Sequence, residues 1–172
     1  MHRKHLLSIL PQQQTLPQQN KILLILSAMD QNLAQIVREF LNNHRKAIFA
    51  INDDAGLPTT SLMLYAIDDE FNVYFGTRRG FGKYQHILKN PTISLSVMEE
   101  QIDPLKVTDI RGKAEELSKE EGDVAHSFFK TKNQSKYYVE GADDYVMFKI
   151  VPSLIRFADA SSGELKIVNL LA

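Results

Sequence analysis

The chain has 172 residues, with 20 Lys and Arg against 21 Asp and Glu, 44% apolar residues and 24% charged ones. That is the composition of one globular domain able to bury its own core, and it lacks the basic excess of a nucleic-acid binder. The absence of cysteine excludes disulfides, thiolate metal sites and cysteine nucleophiles, and it suits the reducing cytoplasm.

The apolar run Ile22–Leu26 falls far short of the ~20 residues that span a bilayer, so no membrane segment is expected. The Gln- and Pro-rich stretch Pro11–Gln19 precedes it, which does not match the short basic leader of a signal peptide. Residues 1–28 therefore read as an N-terminal extension, mobile or loosely docked, with Met29 as an alternative start. Residues 29–172 read as a single domain.

From Asp30, the apolar residues Leu33, Ile36, Val37, Phe40 and Leu41 fall on one helical face. Asp30 or Ser27 can cap the start of this helix, and Asn42, Asn43 and His44 suit its end. Ala47–Asn52 is a short strand closed by the turn residues Asp53, Asp54, Ala55 and Gly56. Leu57–Ile67 reads as a second strand and Val73–Thr77 as a third. A short helix with Tyr84, Ile87 and Leu88 on one face ends at Asn90 before Pro91.

Thr92–Met98 alternates strictly and is a strand with one buried face. Leu105–Leu117 is a fifth strand, in which Gly112 marks a bulge or a close backbone approach. Ser118 opens a capping box for a helix running towards Phe128 and Phe129. Tyr145–Phe157 is a sixth strand, interrupted at Pro152. Strands joined mostly by tight turns, with helices inserted rather than alternating, predict a mainly β fold: a six-stranded antiparallel sheet closed into a barrel.

The segment Thr77–Lys83 concentrates chemistry. It places a hydroxyl, two guanidiniums, an ammonium and two glycines between a strand end and a helix start. Glycines let consecutive backbone N–H groups converge on one point, and the helix N-terminus adds its dipole and unpaired donors. Arg78, Arg79 and Lys83 add charge that can grip a phosphate. A solvated basic turn is the alternative.

Other constellations are weak. The five histidines show no metal-ligand spacing, and His86 reads as a surface or half-buried residue. The pairs Asp53–Asp54 and Asp143–Asp144 sit in turns, where Asp is favoured structurally. Ser61, Ser94 and Ser96 lack the strand–turn–helix elbow of a hydrolase nucleophile. Phe128, Phe129, Tyr137 and Tyr138 suit a core or a dimer seam. No metal ligand and no catalytic acid or base is named.

In chain order, the segments "AIFAINDDAGLPTTSLMLYAID", "VYFGTRRGFGKYQHILKNPTISLSV" and "DIRGKAEEL" resemble the pyridoxamine 5′-phosphate oxidase-like, FMN-binding split-barrel superfamily. The matching positions are Asp54, Gly56 and Pro58, then Thr77, Lys83, Asn90 and Pro91, then Gly112, Ala114 and Glu115. The resemblance implies a six-stranded split barrel and a homodimer with FMN at the subunit interface. It also implies an oxidoreductase acting on a small molecule, with deazaflavin or haem as alternative ligands.

By the same resemblance, Thr77 and Lys83 hold the flavin phosphate, and Thr59, Thr60, Ser61 and Leu62 run beside the ring and its chain. Arg78 and Arg79 are further phosphate candidates. The chain departs from the true oxidases in carrying Ser61 and Ala66 where they have arginine and lysine, and Phe81 and Gly82 where they have serine and arginine. Val107 stands in place of a glutamine, and the substrate-gripping Arg and His of the C-terminal segment are missing. Oxidation of vitamin B6 is therefore not expected. A non-catalytic ligand binder, or a barrel serving only protein interaction, are the other classes.

Overall fold

The computed structural model describes residues 18–101, 103–134 and 142–171, of which 18–30 and 171 are described by their backbone alone. Helix α1 spans Gln18–Asn43, followed by β1 (Lys46–Asn52), β2 (Pro58–Leu64), β3 (Ala66–Ile67) and β4 (Val73–Arg78). Then come α2 (Gly82–Lys89), β5 (Thr92–Met98), β6 (Lys106–Glu116), α3 (Lys119–Lys132), β7 (Tyr145–Asp159) and β8 (Lys166–Leu171). The mainly β architecture with inserted helices is the one expected. Among the described residues the strands number eight rather than six.

Two differences account for the count. The expected second strand bends at Tyr65 into β2 and β3, and β8 adds a partner along the C-terminal half of β7. All pairings are antiparallel, in the order β2-β1-β5-β6-β7-β4-β3. The two ends of that order are adjacent segments of one strand, so the sheet curls round until β2 and β4 face each other. They touch without pairing. This is a split barrel, joined through the bend and open between β2 and β4.

Strand alternation fills the interior. Phe49, Ile51, Phe75, Ile93, Leu95, Val97, Ile110, Phe148 and Ile150 are buried in one cluster. Phe75 lies 4.9 Å from Phe49 and stacks on Phe148 at 5.4 Å, a geometry that adds to area burial. Gly112 performs both tasks foreseen for it. The β6–β7 register shifts between Arg111 and Gly112, and a Cβ at Gly112 would collide with the backbone carbonyl of Val151.

Helix α1 begins at Gln18, well before Asp30, so neither Ser27 nor Asp30 caps it, and residues 18–28 of the expected extension are helical. Residues 1–17 lie outside the described part. Val37, Phe40 and Leu41 enter the core, with Phe40 5.4 Å from Phe157, whereas Ile36 is exposed. His44 Nδ1 donates to the carbonyl of Phe40 at 2.7 Å and closes the helix. Ser118 and Glu121 make the reciprocal capping box of α3, which packs Ala125 and Phe129 on the outer side of the sheet against Ala66 and Met147.

Candidate functional site

The opening between β2 and β4 is bordered by two of the segments singled out for ligand binding, Thr59–Leu62 on β2 and Thr77–Arg78 on β4. The pairs Ala66–Tyr74 and Ile67–Val73 fix the β3–β4 register. Beyond the bend β2 and β4 no longer pair; Met63 of β2 and Thr77 of β4 are both buried.

Thr77 is 4% exposed, and its hydroxyl oxygen has no hydrogen-bond partner among the described residues. An unsatisfied buried hydroxyl costs about 1–3 kcal/mol, which is unusual unless something else supplies the partner. Lys83 is half-buried. Its ammonium donates to Met63 Sδ at 3.0 Å and lies 5.7 Å from the centre of the Phe81 ring. It makes no ion pair with a carboxylate among the described residues, and burial pulls its pKa below the usual lysine value.

Lys83 sits in the first turn of α2, which starts after Phe81 without any side-chain cap. The first N–H groups of α2 are thus left without a side-chain acceptor. A hydroxyl without a partner, a cation without a counter-ion and an uncapped helix start within one segment form a donor set suited to an oxyanion. The residues present fit a phosphate or carboxylate.

The two arginines are placed otherwise. Arg78 pairs with Asp144 at 3.3 Å. Arg79 pairs with Glu116 at 2.6 Å and donates to the Tyr84 hydroxyl, which itself donates to Glu116 at 2.9 Å. Both guanidiniums of the loop are thus engaged by carboxylates.

The β2 candidates divide by strand alternation. Thr59 and Ser61 share the inner face with Met63, and Thr59 makes a long 3.5 Å contact to the carbonyl of Ile51. Thr60 and Leu62 point to the outer face, where both are exposed. There Leu62 lies opposite Ile48, and Ile48 opposite Ser96, so Leu62, Ile48 and Met98 mark an apolar stripe across three neighbouring strands. The stripe borders a surface cavity of about 830 Å³ with His44 and Glu99 on its wall.

The turn residues behave structurally. Asp53 Oδ1 accepts from the N–H groups of Ala55 and Leu57, both at 2.9 Å. Asp54 is paired with His86 at 3.2 Å and Lys89 at 2.5 Å, which fastens the β1–β2 turn to α2. Tyr84 and Ile87 of α2 are buried, but Leu88 is exposed, because an eight-residue helix lying on a sheet covers only a narrow stripe. Phe129 is fully buried, while Phe128 is partly exposed beside Tyr74. Tyr137 and Tyr138 lie outside the described residues.

Sequence reasoning missed Met63 as the contact of Lys83, and the Glu116–Tyr84 clasp on Arg79. Lys83–Met63 and Arg79–Glu116 span 20 and 37 positions between residues of ordinary type, and no local spacing announces them.

No curated protein matches the chain, but solved structures share its fold. A Listeria innocua protein provisionally named a pyridoxamine 5′-phosphate oxidase superposes with TM-score 0.60 at 20% identity, over 73% of this chain and 97% of its own. A heme binding protein from Mycobacterium smegmatis superposes with TM-score 0.67 at 15% identity, over 80% of this chain and 57% of its own. Campylobacter jejuni ChuZ gives 0.66 at 16%, over 81% of this chain and 63% of its own. This chain thus spans less than two thirds of the latter two. The family profile of pyridoxamine 5′-phosphate oxidase matches residues 33–159, from α1 to the end of β7. The chain belongs to the pyridoxamine 5′-phosphate oxidase family.

Proposed function

We propose that the protein binds a flavin cofactor, FMN in the first instance, at the opening between β2 and β4, and works as an oxidoreductase on a small molecule. The observation that carries this reading is that one short segment holds both the buried Thr77 hydroxyl without a partner and the Lys83 ammonium without a carboxylate, among the described residues. A phosphate there would accept from Thr77, from Lys83 and from the first N–H groups of α2. Thr59 and Ser61 would flank the cofactor on the inner face, and Thr60 and Leu62 would meet it, or a second subunit, on the outer face.

The bound flavin would supply the electron-transfer chemistry. The protein's part is to hold the anionic tail, orient the ring and keep water away. Lys83 gains most from occupancy, since an anion offsets the cost of its burial.

The exposed Leu62, Ile48 and Met98 support a homodimer, because exposed apolar side chains on three neighbouring strands are better covered than solvated. Covering them would also complete the outer wall beside β2. A cytoplasmic setting accords with the cysteine-free composition. Among the described residues no helix is long and apolar enough to cross a membrane.

The experiment is an absorbance spectrum of freshly purified protein, followed by mass spectrometry of any retained ligand and an FMN titration of the stripped protein. Flavin bands and saturable binding lost in Lys83→Ala support the reading. A colourless protein that takes up no FMN overturns it. The likeness to a heme binding protein favours a second ligand class on the same scaffold, which a Soret band would reveal. A deazaflavin would show in the mass spectrum. Steady turnover with a nicotinamide donor separates an enzyme from a binder.

A further inference from the structure

His44, the residue after α1, and Glu99, the residue after β5, meet with Nε2 3.3 Å from Oε2. His44 Nδ1 donates to the carbonyl of Phe40 at 2.7 Å, and its ring centre lies 4.3 Å from that of Phe40. A carbonyl can only accept, so Nδ1 carries a proton in either charge state, and Nε2 of the neutral ring is a bare acceptor. The Glu99 carboxylate that faces it also only accepts. One proton is needed between the two, on Nε2 or on the carboxyl group, before they can hydrogen-bond.

Closing α1 takes only Nδ1. Nε2 and Glu99 stand together on the wall of the cavity of about 830 Å³, which Ile48, Leu62 and Met98 line with apolar surface. Pockets that take drug-sized molecules run to roughly 300–1,000 Å³ and pair such surface with a few converging polar groups. The other charged residues of the lining are Arg45, Lys46 and Glu100. Two cations thus face two carboxylates, which favours a ligand without net charge.

We propose that this cavity binds a neutral molecule of the phenol class, with its ring on Ile48, Leu62 and Met98 and its hydroxyl at the His44–Glu99 pair, which takes up the hydroxyl proton. The O–H bond breaks, its electron pair stays on the ligand oxygen, and the proton bonds to Nε2. The resulting imidazolium stands between two oxygens of opposite charge to its own, one from Glu99 and one from the ligand. The Met98 thioether suits an aromatic ring. In the dimer proposed above, the ring would lie between these side chains and the partner subunit. Neither Thr77 nor Lys83 takes part, so this site stands or falls apart from the flavin reading.

The test compares p-nitrophenol with p-nitroanisole, which keeps the ring and replaces the hydroxyl with a methoxy group. Equilibrium dialysis gives both affinities, and the difference absorbance of p-nitrophenolate reports where the proton resides. Wild type should bind p-nitrophenol roughly tenfold more tightly than p-nitroanisole, the worth of a hydrogen bond to a charged group. The bound probe should also show a larger phenolate fraction than the free probe at the same pH.

His44→Gln and Glu99→Gln should each bring the affinity ratio close to one while leaving p-nitroanisole unmoved. Leu62→Ser should weaken both probes and keep the ratio. A ratio near one in wild type, a ratio that survives both variants of the pair, or a bound probe with no gain in phenolate overturns the proposal. Absence of saturable binding of either probe overturns it as well. If one variant does not fold, the other and the wild-type ratio still decide.

Discussion

Lys132 lies over the ring of Tyr65, 4.1 Å from its centre, and both residues donate to the carbonyl of Leu41 at 2.7 Å. This joins the end of α3 to the end of α1 across the bend that separates β2 from β3. Burial, with Arg45 nearby, lowers the Lys132 pKa from 10.5 to about 8. Asn133 fastens the same corner from the next position by donating to the carbonyl of Tyr65 at 2.8 Å.

A pH dependence follows with a definite sign. Below about pH 8 folded and unfolded chains both carry the proton, and the folded state bears the full cost of the partly buried charge. Between that point and 10.5 the unfolded chain binds more protons, so stability rises with pH. Urea denaturation at several pH values should show a gain of about 1–2 kcal/mol across this window, reduced from the full linkage value because water reaches part of the side chain. The gain is measured relative to Lys132→Met. Parallel pH profiles for the two proteins would contradict it.

Thr77→Val should separate stability from binding. Valine keeps the shape and removes the unsatisfied oxygen, so the ligand-free protein should gain about 1 kcal/mol in thermal or chemical denaturation. FMN affinity should fall at the same time. A destabilised Thr77→Val would mean that the hydroxyl already has a partner within the fold.

Lys83→Met should weaken binding of an anionic flavin roughly tenfold, about 1.4 kcal/mol, and leave riboflavin nearly unaffected. The ligand-free variant should be at least as stable as wild type, because the ammonium is partly desolvated without a carboxylate to compensate it. Isothermal titration with both flavins and a melting curve decide the matter.

Gly112→Ala should cost about 2 kcal/mol or more, since the new methyl group has backbone rather than a flexible side chain in its way. Gly80→Ala, where a Cβ meets nothing within 4 Å, is the matched control and should change stability by less than about 0.5 kcal/mol. Similar losses for both would remove the steric account of Gly112.

Leu62→Lys tests the outer face. Leu62 is 64% exposed, so the substitution should leave folding intact while shifting the sedimentation of the proposed dimer to that of a monomer. An unchanged dimer would place the subunit contact elsewhere.

Much of the fold could be read from the chain because its signals are local. Ile93, Leu95 and Val97 alternate with polar residues and are all buried, and Ser118 and Glu121 close a box only three residues long. Strand β8 escaped notice because Ile167 stands exposed beside Val168, which hides the alternation. The early start of α1 was hidden because Ile22–Leu26 is an unbroken apolar run, without the three-to-four spacing of a helical face.

The charge of the candidate site was less legible than the fold. Thr77 and Lys83 come from one segment, whereas the pairing of Arg78 with Asp144 and of Arg79 with Glu116 spans 66 and 37 positions. Charge counted along a loop does not reveal which carboxylates the rest of the fold will bring to it.

The kink at Tyr65 makes a single stretch of backbone serve as both margins of the same sheet. A chain cut there would turn a continuous wall into a ribbon with two raw rims, each offering unpaired amide groups to neighbouring molecules. Solubility, as much as shape, is therefore vested in that one hinge of extended chain. The phenol of Tyr65, buried and donating to the carbonyl of Leu41, ties that hinge to the end of α1.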